Sequence, residues 1–241
     1  MKGWLVGVLG IWMAQAQALS CLPSAPFSVV HTQTMQPHSV VWLNRVESAP
    51  YAPVWLQSQH GKSDTMTQTV HWLPQWVALV PNRPYVAGRT YTVTSKQITA
   101  EYTDMVALNN SFQVGVSQPN TELKWRQKPV LDAVQVHQSP WGQVGHVTLG
   151  LDVTVAPENY LVMVTAADDA DMRDAKTWLL QPTLINGHTK LKLSHGPCMA
   201  NHQAFWFQVG QSKWLTLALI SHDGRIIPWQ GSPWRLDLPA K

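Results

Sequence analysis

The sequence predicts an all-β protein that begins with a cleaved signal peptide and continues as two tandem antiparallel β-sandwich domains. Turn-forming residues interrupt the chain at roughly the spacing expected of a sandwich, every 8–12 positions. Only 13% of the 241 residues are charged, and 13 are Trp, whereas about a quarter of an ordinary domain is charged. A composition that is poor in charge and rich in aromatic and β-branched residues favours strands over disorder.

The predicted signal peptide comprises residues 1–18. Lys2 supplies the positive start, and residues 3–13 form an apolar stretch too short to span a bilayer. Ala14-Gln15-Ala16 and Ala16-Gln17-Ala18 both suit signal peptidase. We therefore expect an exported protein, periplasmic or secreted, without a transmembrane segment.

The first predicted sandwich spans residues 19–118. Its strand candidates are 27–30, 39–43, 54–58, 66–72, 75–80, 89–99 and 111–115. In the sixth of these, Tyr91 and Val93 alternate with threonines, as a half-buried strand requires.

A polar linker containing Pro is predicted at 119–128, and a second sandwich at 129–241. Its strand candidates are 130–136, 146–155, 160–166, 177–180, 189–193, 204–209, 214–221 and 234–238. A short helical turn is predicted within 168–176, and Asp223-Gly224 is typical of a hairpin turn.

Residues 22–116 resemble the bacterial Ig-like domain of the S-layer-protein type. The matching residues are Leu79-Val80-Pro81, the run from Pro84 to Val93 (PYVAGRTYTV) and the closing Ser111-Phe112-Gln113-Val114-Gly115. The second half is more loosely similar to a fibronectin type III or generic Ig-like module. The resemblance implies two Ig-like sandwiches, a fold that serves as spacer, adhesion module or enzyme appendage without selecting among these roles.

Two cysteines, Cys21 and Cys198, are the whole thiol content of the chain. In an oxidising compartment such a pair predicts a disulfide. The alternatives are a lipid anchor on Cys21 and two free thiols; the disulfide and the anchor exclude each other because a lipidated Cys21 cannot pair with Cys198.

The sequence shows no motif for a catalytic or cofactor site. It has no Gly-x-Ser-x-Gly, no His-Glu-x-x-His and no Cys-x-x-Cys, so we expect neither catalysis nor a cofactor. The absence of a basic run disfavours nucleic-acid partners.

Two groups of residues could hold a metal ion. Asp168, Asp169, Asp171 and Asp174 form a carboxylate cluster that would suit calcium, although a solvated loop or a helix N-terminus is the simpler explanation. His188, His195 and His202 surround Cys198 and would suit copper or zinc, the alternative being polar loop histidines.

The tryptophans offer the remaining functional signal. Most are expected to fill the cores, but Trp141, Trp229 and Trp234 fall in predicted loops, where exposed aromatic rings would suit a ligand.

The leading hypothesis is a non-enzymatic binding or scaffolding protein of the bacterial cell envelope, with a protein or glycan partner. The alternatives are a carbohydrate-binding module that uses these three tryptophans, an accessory domain pair of a secreted enzyme system, or an enzyme whose site has no recognised motif.

Overall fold

The computed structural model describes residues 27–45, 54–58, 67–73, 76–95, 111–117, 121–197, 199, 204–208, 210–231 and 233–238. The predicted signal peptide and both cysteines lie outside these residues, so the disulfide and the lipid anchor stay predictions. Within the described ranges, no helix is long and apolar enough to cross a membrane.

Among the described residues, seven strands form the first half of the fold. They are β1 (Phe27–Val30), β2 (Val41–Arg45), β3 (Val54–Ser58), β4 (Thr67–Leu73), β5 (Trp76–Pro81), β6 (Thr90–Ser95) and β7 (Ser111–Gln113). Sheet 1 has the order β1-β2-β5-β4, sheet 2 has the order β3-β6-β7, and all pairings are antiparallel. With the strands lettered A to G in chain order, these sheets are ABED and CFG, the arrangement of a constant-type Ig domain.

The inner faces of sheets 1 and 2 meet in one apolar core. This core joins β2 and β5 of sheet 1 to Leu56, Tyr91 and Phe112 of sheet 2. The Val86 N–H donates a hydrogen bond to the Tyr91 Oη at 3.0 Å. A tyrosine near the start of strand F that is bonded to the preceding backbone is the tyrosine corner of Ig-like folds.

In the part of the second half that the structure describes, nine strands are present. They are β8 (Val130–Ser139), β9 (Gly142–Leu151), β10 (Tyr160–Ala167), β11 (Lys176–Leu180), β12 (Thr183–Ile185), β13 (His188–His195), β14 (Ser212–Ser221), β15 (Ile226–Pro228) and β16 (Trp234–Asp237). Sheet 3 has the order β12-β13-β9-β8, and sheet 4 has the order β11-β10-β14-β15, with β16 also paired to β14. These sheets correspond to ABED and to CFG with an added C′ strand. Together the two halves confirm the predicted tandem of antiparallel Ig-like sandwiches.

Part of the predicted linker packs with the second sandwich. Leu123 is buried in the core between sheets 3 and 4. The Arg126 N–H donates to the Asp152 carbonyl at 2.9 Å, and the Thr154 N–H donates to the Lys124 carbonyl at 3.0 Å. The exact domain boundaries stay a prediction, but the backbone around Leu123 to Arg126 is held by the second half.

A third apolar cluster joins the two sandwiches. The outer face of sheet 1 contributes Trp42, Trp76 and Ala78, and the outer face of sheet 4 contributes Leu161 and Ile220. The Trp76 Nε1–H also donates to the Thr177 carbonyl at 3.1 Å. Sheets 1 and 4 therefore pack back to back, and the described residues form four layers in the order 2, 1, 4, 3.

The bounds of several predicted strands are shifted by a few residues, as in β9, which was predicted at 146–155 and is observed at 142–151. The predicted and observed elements also differ at four other places. Residues 204–208 carry no strand, and residues 168–175 form turns rather than a helix. The short strands β12 and β15 were not predicted, because three residues are too few to show a period of two. The Asp223-Gly224 turn is confirmed between β14 and β15.

Candidate functional site

The three tryptophans predicted to bind a ligand do not share one environment. Trp141 lies in the hairpin between β8 and β9 and is 56% exposed. Trp229 and Trp234 are half-buried and pack against the core of the second sandwich. Their predicted exposure in a loop is therefore correct only for Trp141.

Trp229 and Trp234 lie together, but Trp141 lies far from both. A small cavity is lined by Trp229, Trp234 and Pro129. Pro129 immediately precedes the ten-residue strand β8, and Trp141 lies just beyond its other end. At roughly 3.3 Å per residue, the strand separates them by about 30 Å. The three side chains therefore cannot form one planar row.

Trp229 takes part in a second aromatic feature that sequence reasoning missed. Its ring lies edge-to-face with Trp125, with the ring centroids 5.6 Å apart. The two rings line a groove of about 610 Å³ together with Arg126 and Arg225. Trp125 was assigned to the linker in the sequence, so no local signal placed it beside Trp229.

Most acidic side chains of the β10–β11 loop are paired with Lys or Arg side chains. Asp169 accepts hydrogen bonds from the Arg173 backbone N–H at 3.2 Å and from its Nε at 3.0 Å. Asp168 forms an ion pair with Lys213, and Asp171 lies 3.6 Å from the Arg173 guanidinium. Among the described residues, no three His, Cys, Asp or Glu side chains come together as a metal site. Calcium binding by this loop stays a prediction.

The histidines around Cys198 are dispersed. His188 is exposed at the start of β13, whereas His195 at its end is only 1% exposed. His202 and Cys198 lie outside the described residues. Burial lowers the pKa of His195, and the nearby His146 adds to the decrease. His195 is thus a neutral, buried ring rather than the polar loop residue that the sequence suggested.

His195 supports an exposed tryptophan that the sequence prediction had placed in a strand. Trp206 is 44% exposed, and its ring stacks on His195 with the centroids 4.7 Å apart and an interplanar angle of 28°. Gly145 makes this possible, because a Cβ there would lie 2.2 Å from the His195 Nε2. The alternation of Phe205, Trp206 and Phe207 was the available signal, since it places Trp206 opposite two buried rings.

Trp206 borders a pocket at the loop end of the second sandwich. The pocket has a volume of about 460 Å³ and lies between the β10–β11 loop and the segment around Phe205. Trp178 also lines it, is 6% exposed, and packs edge-to-face on Phe205 at 5.4 Å. The charged residues that line the pocket are Asp168, Asp169, Asp174, Arg173, Lys176 and Lys213.

Comparison with known proteins assigns no family. No family model matches the chain, and no curated protein matches it. The resemblance to the S-layer type of Ig-like domain therefore stays a prediction.

Two solved structures illustrate the level of likeness. A pullulanase type I from Bacillus subtilis str. 168, complexed with maltose, is 8% identical, with a TM-score of 0.23 over 86% of this chain and 24% of that chain. The FN1–FN3 domains of chicken CNTN1 are 8% identical, with a TM-score of 0.23 over 85% of this chain and 65% of that chain. The chain thus spans about a quarter of the first structure and slightly less than two thirds of the second. At this TM-score neither structure assigns a ligand or an activity to the chain.

Proposed function

We propose that the chain is a non-enzymatic binding or scaffolding module that is exported to the bacterial cell envelope. The observation that supports this proposal is the apolar cluster between sheets 1 and 4, in which Trp42 and Trp76 are buried. Such a cluster joins the two sandwiches into one rigid scaffold. Binding residues commonly lie on loops that a rigid scaffold positions. Its partner is a protein or a glycan of the envelope.

Co-sedimentation with insoluble cell-wall polysaccharide tests the proposal. The full chain is mixed with purified cell-wall material, and the pellet and the supernatant are analysed for protein and for released sugars. We expect saturable retention in the pellet and no soluble product. Release of sugars would contradict the non-enzymatic role, and a failure of the folded chain to be retained would contradict an envelope glycan partner.

Carbohydrate binding by the loop tryptophans is the second candidate function. The exposed Trp141 and the groove beside Trp125 and Trp229 favour it, because aromatic rings with adjacent polar groups suit sugars. Trp141→Ala and Trp229→Phe separate the two surfaces in the same sedimentation assay. Unchanged retention in both variants would exclude this candidate.

A further inference from the structure

We propose that the pocket beside Trp206 binds a neutral sugar ring, with Trp206 as the stacking platform and charged side chains of the lining as hydrogen-bond partners. This inference rests on the proposed binding function and assigns it a site that differs from Trp141, Trp229 and Trp234. It combines four features of the described residues: a supported aromatic face, a preformed aromatic wall, a balanced charge on the lining, and a suitable volume.

The first feature is a ring that is exposed but held in place. His195 covers one face of Trp206 at 4.7 Å, and His195 is itself fixed edge-to-face against Phe207 at 4.7 Å. Trp206 nevertheless keeps 44% of its surface exposed. A pyranose presents a face of C–H groups to the electron-rich face of an aromatic ring, so a fixed, exposed indole is suited to this contact. Pre-orientation also lowers the entropy lost on binding.

The second feature is the wall beside this platform. Trp178 lines the pocket, and its ring, which is 6% exposed, packs edge-to-face on Phe205 with the centroids 5.4 Å apart. Because both rings belong to the core of the second sandwich, this wall of the pocket is preformed. A preformed wall next to an exposed indole is typical of small-ligand sites.

The third feature is the charge around the pocket. Its lining includes three carboxylates and three cations, four of which form two ion pairs, Asp168 with Lys213 and Asp169 with Arg173. Because these charges balance, the pocket has no net charge that would attract an anion or a cation. Donors and acceptors placed side by side match hydroxyl groups, which both donate and accept. The volume of about 460 Å³ falls within the range of small-ligand sites.

Isothermal titration calorimetry of the full chain tests the assignment with neutral disaccharides built from glucose, mannose and N-acetylglucosamine. Glutamate and spermidine serve as charged probes. We expect at least one neutral disaccharide to bind and a loss of about tenfold in affinity for Trp206→Ala. Leu184→Ala, which removes an exposed apolar side chain of β12 outside the pocket lining, is the control and should leave the affinity unchanged.

Three results would overturn the assignment: no binding of any neutral disaccharide, wild-type affinity in Trp206→Ala, or tighter binding of a charged probe. Circular dichroism of each variant checks that it folds. These outcomes differ from those that contradict the proposed function, because retention on cell-wall material without binding at Trp206 would refute the pocket alone. Release of sugars would refute the non-enzymatic role alone.

Discussion

Tyr85 and Tyr91 share a core but differ in how their hydroxyl groups are satisfied. Their ring centroids lie 4.9 Å apart in the first sandwich, and both side chains are buried. The Tyr91 Oη accepts the Val86 N–H, whereas the Tyr85 Oη has no hydrogen-bond partner among the described residues, and burial raises the pKa of Tyr85. A buried hydroxyl stabilises a fold only when it is hydrogen-bonded.

Removing each hydroxyl in turn should therefore have unequal effects. We expect Tyr91→Phe to lower the free energy of unfolding by about 1–2 kcal/mol, and Tyr85→Phe to leave it unchanged or to raise it. Urea unfolding followed by circular dichroism measures both. An equal loss in the two variants would mean that the Val86 bond contributes nothing.

Stability should depend on pH through His195. Burial lowers its pKa below the ordinary value of 6.5, so the unfolded chain takes up a proton before the native chain does. The contribution of His195 to the free energy of unfolding is fully present above about pH 6.5. It is lost as the pH falls through the lowered pKa. We expect the urea midpoint to fall between about pH 7 and about pH 5, and His195→Leu to make this fall shallower.

An exposed position without a titratable group supplies the control for this measurement. Leu184→Ala, in β12, should leave the pH dependence unchanged. His31, His146 and His222, whose pKa values burial also lowers, supply the slope that remains in His195→Leu. A wild-type slope in His195→Leu would show that His195 titrates alike in the folded and unfolded chains.

At the level of elements, the turn between β14 and β15 fastens one sandwich to the other. The Val40 N–H donates to the His222 carbonyl at 2.7 Å. Gly224 has a φ of +86°, and a Cβ there would lie 3.0 Å from the Val40 Cγ2. The turn therefore requires glycine both for its backbone conformation and for its close approach to β2.

Two alanine substitutions separate these requirements. Gly187, in the turn between β12 and β13, has a φ of +77° and nothing within 4 Å of its Cβ position. Gly187→Ala should cost about 1 kcal/mol for the backbone alone, and Gly224→Ala about 1 kcal/mol more for the contact with Val40. Equal losses in thermal unfolding would show that β2 moves aside freely.

For the whole molecule, the cluster between sheets 1 and 4 should couple the unfolding of the two sandwiches. Ala78 is buried in this cluster, so Ala78→Arg places a charge between Trp42 and its neighbours. We expect a single calorimetric transition for the natural sequence and two transitions for Ala78→Arg. Val130→Arg, at an exposed position, is the control, and two transitions in the natural sequence would contradict the coupling.

Local patterns were sufficient to predict most strands. The predicted bounds of β1 and β3 match the structure, and Tyr91 and Val93 are buried on the face that their alternation with threonine indicated. Gly-containing turns were likewise readable, as at Asp223-Gly224. These features depend on residues that are adjacent in the chain, since the strand period and the turn conformation are local properties.

The site depended on contacts between residues that are distant in the sequence. Val40 to Leu43 are all buried. An unbroken apolar run of this kind predicts a strand that is buried on both faces, but it does not predict which elements pack against those faces. Trp206 and Trp42 are the same residue type in similar apolar surroundings of the sequence. By itself the sequence determined the all-β class, most strands and their alternation. Only the tertiary structure decided that Trp42 is covered by another sandwich and Trp206 is left exposed on His195, because burial depends on which sheets pack together.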